Sequence, residues 1–312
     1  MPELEQLANE LGIKASIWDS VQTLYLPLAE WIAQQVSERR AQGTGGAFVV
    51  GLNGAPGSGK STCDAFIQLI LERHFELRVS GFSIDDVYLT KREREKLARS
   101  VHPLFKVRGV PGTHDVDLAL QVLEQLAQAD PAEAISIPVF EKVADDRAAR
   151  VDWREVNGPF DVVVFEGWCV GVRAQSETDL KEPVNELEAS EDSIAAWRRA
   201  VNRAIETDYG ALFRRLDATI FLKVPSMDVV FAQRLEQEQT QAQRLAELQA
   251  SGADTSDMQL MNESEVRRFM MHYERLIRWM TRDLPQYADI VVDLDEQRRV
   301  QQLHFASGTG SR

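Results

Sequence analysis

Residues Gly54, Ala55, Pro56, Gly57, Ser58, Gly59, Lys60 and Ser61 satisfy the spacing G-x-x-x-x-G-K-[ST]. An apolar run, AFVVGLN at 47–53, precedes them, and TCDAFIQLIL follows at helical spacing. In that context glycines let the backbone wrap its N–H groups around phosphate oxygens, and the following helix adds the partial positive charge of its N-terminus. Lys60 is expected to reach the β- and γ-phosphates and Ser61 to ligate Mg²⁺, so Gly54 to Thr62 read as a cradle for a nucleotide triphosphate. A glycine-rich turn without a ligand is the alternative. A dinucleotide-binding G-x-G-x-x-G has a different spacing.

Two further acidic positions stand where such chemistry needs them. DVVVFEG, residues 161–167, is an apolar strand ending in Glu166, whose carboxylate is expected to hold Mg²⁺ beside the phosphate loop. GFSIDDVYLT, residues 81–90, puts Asp85 and Asp86 just past another strand. Ligands of open α/β sheets collect at the carboxyl ends of strands, so these residues should face the terminal phosphate. An attacking hydroxyl must lose its proton, and Asp85 is assigned as the base, within reach of the metal as well. Asp86 is expected to orient substrate, helix N-termini or basic groups. The bland alternative is that both aspartates merely open a loop.

Residues beyond Asp86 supply the acceptor side. Tyr88 ends the Asp-Asp segment, and Lys91, Arg92, Arg94, Lys96, Arg99, Lys106 and Arg108 form a basic island. Lys91 to Arg99 fit a solvated helix face. Arg108, by contrast, opens RGVPGTHD, a Gly/Pro-ordered loop in which Arg108, His114 and Asp115 suggest an anion or polyol pocket. IPVFEKVADDR, residues 137–147, adds Lys142 and Arg147 as a second substrate wall. Arg234, in VVFAQRLEQE, falls on a helix where a basic lid over the phosphates is expected; a surface arginine is the alternative. The tryptophans and Tyr273 read as packing.

Elements must position these groups. Short apolar runs at 47–53, 77–84, 161–167, 217–224 and 288–294, with helical periodicity between most of them, predict an α/β fold of the P-loop NTPase type. The expectation is a parallel sheet of about five strands with helices on both faces, plus lid and substrate-side insertions. Residues 1–45 are expected to be N-terminal packing helices, with Ser16 and Asp19 set as a capping box and Pro27 bending the chain. Residues 46–298 form the catalytic domain, with insertions at about 88–135 and 168–215 and a lid at about 230–260. ASGADTSD suits a mobile element, Asn262 and Glu265 start a further helix, and 299–312 read as a flexible tail.

Composition limits the partners. The balance 35 − 49 = −14 argues against a nucleic-acid surface. Cys63 and Cys169 have no metal or disulfide spacing, which suits a reducing cytoplasm. No run approaches the roughly 18 apolar residues of a membrane span. A small-molecule acceptor is the expected partner, and oligomeric state has no signal.

Taken in order, GAPGSGKST, SIDDVYLT, RGVPGTHD, FEKVADDR, VVVFEGW and QRLEQE resemble the D-glycerate 3-kinases and their bacterial relatives. These lie within the phosphoribulokinase, uridine kinase and pantothenate kinase group. The resemblance implies ATP and Mg²⁺ as cofactors, Asp85 as base, Lys60 and Ser61 on ATP·Mg²⁺, and Arg234 in the lid. Where plant-type members carry Arg-Tyr-Asp-Lys, this chain reads Val139-Phe140-Glu141-Lys142, and Gln233 replaces an aromatic before the lid arginine. D-glycerate heads the acceptors; a nucleoside, a pantothenate-like alcohol or a sugar phosphate would use the same machinery. A nucleotide-hydrolysing switch is the rival of another class, although no N-K-x-D follows a core strand.

Overall fold

The computed structural model describes residues 2–13, 17–130, 134–250 and 260–306. The described residues form ten strands: β1 (Phe48–Gly54), β2 (Val79–Ser83), β3 (Ala134–Ile137), β4 (Phe140–Glu141), β5 (Asp146–Arg147), β6 (Arg154–Asn157), β7 (Val162–Gly167), β8 (Ala218–Lys223), β9 (Ile290–Leu294) and β10 (Val300–Phe305). Six of them make the central sheet in the order β10-β9-β8-β1-β7-β2. Five are mutually parallel, matching the five apolar runs, and β10 pairs antiparallel with β9 at one edge. Val300–Phe305 therefore correct the expectation of a flexible tail from residue 299. The remaining expected tail, 307–312, lies outside the described residues, as does most of ASGADTSD.

Both faces of the sheet are covered, which is why its strands read as near-continuous apolar runs. Val49, Val163, Phe165, Phe221 and Val291 point to one core, together with the helices Val116–Ala127 and Glu263–Asp283. Phe48, Val50, Leu52, Val162, Val164, Ile220 and Ile290 alternate to the other, covered by the helix Lys60–His74 and the N-terminal helices. Tyr25 stacks on Phe66 there at 4.8 Å.

The predicted N-terminal helix is interrupted. Ile17–Ser20 and Leu26–Ala41 are α-helical, with a π turn, Val21–Tyr25, between them. Pro27, which has no N–H to donate, sits at the start of the second stretch. Ser16 and its capping role lie outside the described residues. The Asn262 start is observed as predicted: its side chain accepts from Glu265 N, and the Glu265 carboxylate accepts from Asn262 N.

The two insertions differ in what they build. Residues 88–130 form the helices Lys91–Ser100 and Val116–Ala127 around the RGVPGTHD loop. Residues 168–215 include the helical stretches 186–191 and 196–213, and Glu188 ties this cover to the helix Glu263–Asp283 through a buried pair with Arg275 at 2.6 Å. β4 and β5 close a small hairpin that carries Lys142 near its tip. β3 and β6 form a separate ladder.

Candidate active site

The loop after β1 turns because Gly57 (φ +83°) and Gly59 (φ +90°) adopt the left-handed conformation. Gly59 caps the helix Lys60–His74, so Lys60 and Ser61 open its first turn, whose N–H groups have no acceptor within an α-helix. Ser61 Oγ donates to Glu166 Oε1 at 3.2 Å, joining the phosphate loop to the end of β7. A hydroxyl beside a carboxylate is an oxygen donor set for a hard cation. Among the described residues no group of three or more His, Cys, Asp or Glu side chains could hold a metal. That sparse set fits Mg²⁺, which keeps waters and phosphate oxygens as its other ligands and takes only one or two from protein.

On the opposite wall a short 3₁₀ turn, Ile84–Val87, follows β2. Asp86 folds back within it: its Oδ2 accepts from Ser83 N at 2.9 Å, while Ser83 Oγ accepts from Asp85 N at 3.2 Å. Asp86 is thus the structural member of the pair, and the expectation that it orients substrate is corrected. Burial raises its pKa to about 6, against the Ser83 N–H bond and helped by the charges of Asp85 and Glu166. Asp85 points into the cleft, where Lys142 Nζ donates to its Oδ2 at 2.9 Å. Burial would raise the Asp85 pKa, but the Lys142 ammonium and its hydrogen bond, then Lys60, outweigh that and hold it at about 2. Asp85, also expected to touch the metal, is hydrogen-bonded to Lys142, while Ser61 and Glu166 bond to each other.

The cleft encloses about 310 Å³ and gathers Lys60, Ser61, Thr62, Asp85, Tyr88, Arg108, Lys142, Glu166 and Arg234, with Pro56, Gly57 and Gly59 as its floor. Four cationic side chains face two carboxylates in a chain of net charge −14. Such a local excess of positive charge selects anionic ligands. Arg108 is held by the Asp145 carboxylate and lies 5.5 Å from the centre of the Phe140 ring. Asp145 also pairs with buried Arg94 at 2.9 Å, and Arg94 binds the carbonyls of Leu89 and Lys106. The basic island thereby divides: Arg94 is an internal brace, Arg108 reaches the cleft, and Lys91, Arg92, Lys96, Arg99 and Lys106 are exposed. Phe140 is buried beneath these cations, so the Val-Phe-Glu-Lys departure alters packing and retains Lys142 in the cleft.

Three expected substrate residues serve as scaffold instead. Asp115 caps the helix Val116–Ala127 through Leu118 N at 3.1 Å. Arg147 binds Asp115 Oδ2 at 3.2 Å and the Tyr88 carbonyl at 2.8 Å. His114 is buried, stacked on Tyr88 at 4.4 Å, with Nδ1 against the Tyr209 hydroxyl at 2.5 Å. None of the three lines the cleft, because the loop turns their side chains back toward the elements that support Tyr88 and Asp85.

Burial drives the His114 pKa down from 6.5 to about 3. The folded chain keeps the imidazole neutral while an unfolded chain takes up a proton below 6.5, so this stabilisation is complete above pH 6.5 and declines as pH falls toward 3. His114→Asn is expected to be less stable at pH 7 yet to lose stability more gradually over that window. Urea unfolding at a series of pH values measures this; identical acid slopes in the two proteins would contradict it.

Sequence reasoning missed several wall residues. Trp168, two residues past Glu166, donates from Nε1 to the Gly109 carbonyl at 2.9 Å and packs edge-on to Tyr273 at 4.7 Å. Tyr273 also donates to the Arg108 carbonyl at 3.3 Å. Gly109 (φ +143°) allows that approach, since a β-carbon there would lie 2.1 Å from the Tyr273 hydroxyl oxygen. The reading of Tyr273 as packing alone is therefore corrected: with Phe269 and Trp168 it lines the cleft. Gln237 and Gln241 line it as well, and their spacing from Arg234, three and seven residues on a helix, is a signal that could have found them. Arg234 pairs with Glu238 and lies 5.8 Å from the Phe269 ring centre.

No protein-family model matches the sequence. The chain is 31% identical over 243 residues to a Schizosaccharomyces pombe protein named uncharacterized kinase mug58, covering 76% of this chain and 82% of that one. It is 27% identical over 312 residues to the chloroplastic D-glycerate 3-kinase of Arabidopsis thaliana, covering 95% of this chain but 63% of that longer one. Among solved structures, a D-glycerate 3-kinase from Cryptococcus neoformans has the same fold, with a TM-score of 0.73 at 24% identity over 91% of this chain and 99% of that one. Among the described residues no helix is long and apolar enough to cross a membrane.

Proposed function

We propose, from the premise that the chain belongs to the D-glycerate 3-kinase group of P-loop kinases, that its acceptor is D-glycerate. Family membership makes it an ATP-dependent phosphotransferase acting on a hydroxyl of a small molecule; the acceptor and the role of each residue are our reading. The observation that carries this reading is the convergence of Lys60, Asp85, Arg108 and Lys142 on one cleft. It supplies a phosphate cradle, a carboxylate, and cations suited to a carboxylate-bearing alcohol.

In this mechanism the acceptor hydroxyl attacks the γ-phosphorus, the bond from γ-phosphorus to the ADP oxygen breaks, and the hydroxyl proton passes to Asp85. Lys60 and the loop amides stabilise charge on the transferring group, and Arg234 covers the phosphates. Ser61 and Glu166 would hold Mg²⁺, which neutralises charge on the β- and γ-phosphate oxygens when bound. Arg108 is pre-set by Asp145 to bind the acceptor carboxylate, and Lys142 joins it from the hairpin tip. Tyr88 and Tyr273 shape the wall between them.

A panel of D-glycerate, uridine, pantothenate and ribulose 5-phosphate with ATP, read by coupled ADP release, tests the proposal. D-glycerate is expected to give the largest kcat/KM. A larger value for any of the others would overturn the acceptor assignment. ATP hydrolysis raised by a protein partner and by no alcohol would instead favour a switch.

A further inference from the structure

The turn between β9 and β10 reaches the phosphate loop from outside. Arg298 Nε donates to the Gly57 carbonyl at 2.7 Å, and Nη2 donates to Glu236 Oε2 at 2.6 Å on the helix Met227–Ala250. One guanidinium thus ties together the loop, the helix that carries Arg234, and the edge hairpin of the sheet.

Three observations show that this contact is built rather than incidental. Arg298 has φ +64°, a left-handed conformation that costs energy in a residue with a β-carbon and that glycine would adopt freely. The turn is stapled in place: Asp295 Oδ1 accepts from Gln297 N and Arg299 N, each at 2.8 Å, and Arg298 N donates to the Asp295 carbonyl at 3.1 Å. Gln233, on the same helix as Glu236, packs so closely on Gly57 that a β-carbon there would stand 2.8 Å from the Gln233 Cβ. Gln233 is 3% exposed, so the root of the helix is seated on the loop.

The consequence comes from peptide geometry. The unit joining Gly57 to Ser58 is held at both ends, its N–H by the Ala55 carbonyl at 3.1 Å within the loop and its carbonyl by Arg298. A glycine-rich loop loses much conformational entropy on closing around phosphates, and fixing one peptide plane beforehand lowers that cost. We infer that Arg298 is a positioning residue for the nucleotide: it presets the tip of the phosphate loop at Gly57 and couples it, through Glu236, to the helix carrying Arg234. The inference rests on the reading of this loop as an ATP site.

The test compares Arg298→Gly, Glu236→Gln and the double variant, with ATP and acceptor titrated separately and melting followed alongside. Arg298→Gly removes the guanidinium while relieving the left-handed strain, so a loss of fold is not the expected cause of any effect. It should raise the KM for ATP about tenfold, the weight of one charge-assisted hydrogen bond, and leave the acceptor KM unchanged. Glu236→Gln should raise the ATP KM by a smaller factor, and the double variant should be no worse than Arg298→Gly alone, because both act on one link. An ATP KM within about twofold of the unaltered protein in Arg298→Gly, a parallel rise in the acceptor KM, or additive effects in the double variant would each overturn the inference. Should Arg298→Gly fail to fold, an unchanged ATP KM in Glu236→Gln overturns it alone. Failure of the unaltered protein to bind ATP would instead remove the ATP-site reading, a distinguishable result.

Discussion

Replacing Asp85 by asparagine is expected to lower kcat by about a thousandfold while leaving ATP affinity close to its original value. Proton acceptance by a positioned carboxylate contributes on the order of 10²–10⁴ to such reactions, and an amide of the same shape cannot accept the proton. Asp85 is placed for that task by the Ser83 hydroxyl, which accepts from its backbone N–H, and by Asp86, which closes the same turn. The substitution should therefore leave the turn intact. The Lys142 bond to Oδ2 would lose its charge but keep an oxygen acceptor. Turnover of Asp85→Asn with saturating ATP and acceptor, alongside equilibrium binding of ATP, checks this; turnover within about tenfold of the unaltered chain would remove the proton-acceptor role.

The second large effect is expected at Lys60. Among the described residues its ammonium has only a long contact, 3.5 Å to the Ala55 carbonyl, and it faces the same cleft as Asp85. A cation free of strong partners is available to the β- and γ-phosphates, and it gains most where charge grows as the phosphoryl group transfers. Lys60→Met keeps the length of the side chain and removes the charge. It should lower kcat by about 10²–10³, with a smaller rise in the KM for ATP because the loop amides and the helix N-terminus remain. A rise in KM at constant kcat would show that Lys60 contributes only uniform binding.

Much of this arrangement was legible in the sequence where residue type and local spacing carry the physics. Five apolar runs became five parallel strands because each is buried on both faces, and strand ends then located Glu166 and Asp85 without further information. The phosphate loop was legible for the same reason, since its glycines are demanded by a backbone shape. What could not be read was the direction of side chains in an irregular loop. Arg108, His114 and Asp115 sit within eight residues, yet only Arg108 turns to the cleft; His114 and Asp115 turn inward to hold Tyr209 and Arg147. The same limit separates the two aspartates, since one caps the turn that aims the other.

Contributions from distant segments were the other blind spot. Tyr273 and Phe269 belong to a helical stripe whose spacing is that of core packing, and most of that stripe is core. Their place on the cleft wall comes from a tertiary contact, Tyr273 against Trp168, which follows the end of β7. Arg298 lies on a turn after the last parallel strand, just before a segment, VQQLHF, whose polar residues resemble a tail more than an edge strand. Its reach to Gly57 spans 241 positions of sequence.

Catalysis as proposed requires a triphosphate seated on Lys60 with its end directed toward Asp85. A crystal structure with a non-hydrolysable ATP analogue, Mg²⁺ and D-glycerate measures this directly. The predicted result has the terminal phosphate between Lys60 and the acceptor, with the acceptor hydroxyl about 3 Å from an Asp85 carboxylate oxygen and its carboxylate on Arg108. An acceptor bound elsewhere, or an Asp85 carboxylate directed away from the terminal phosphate, would contradict it.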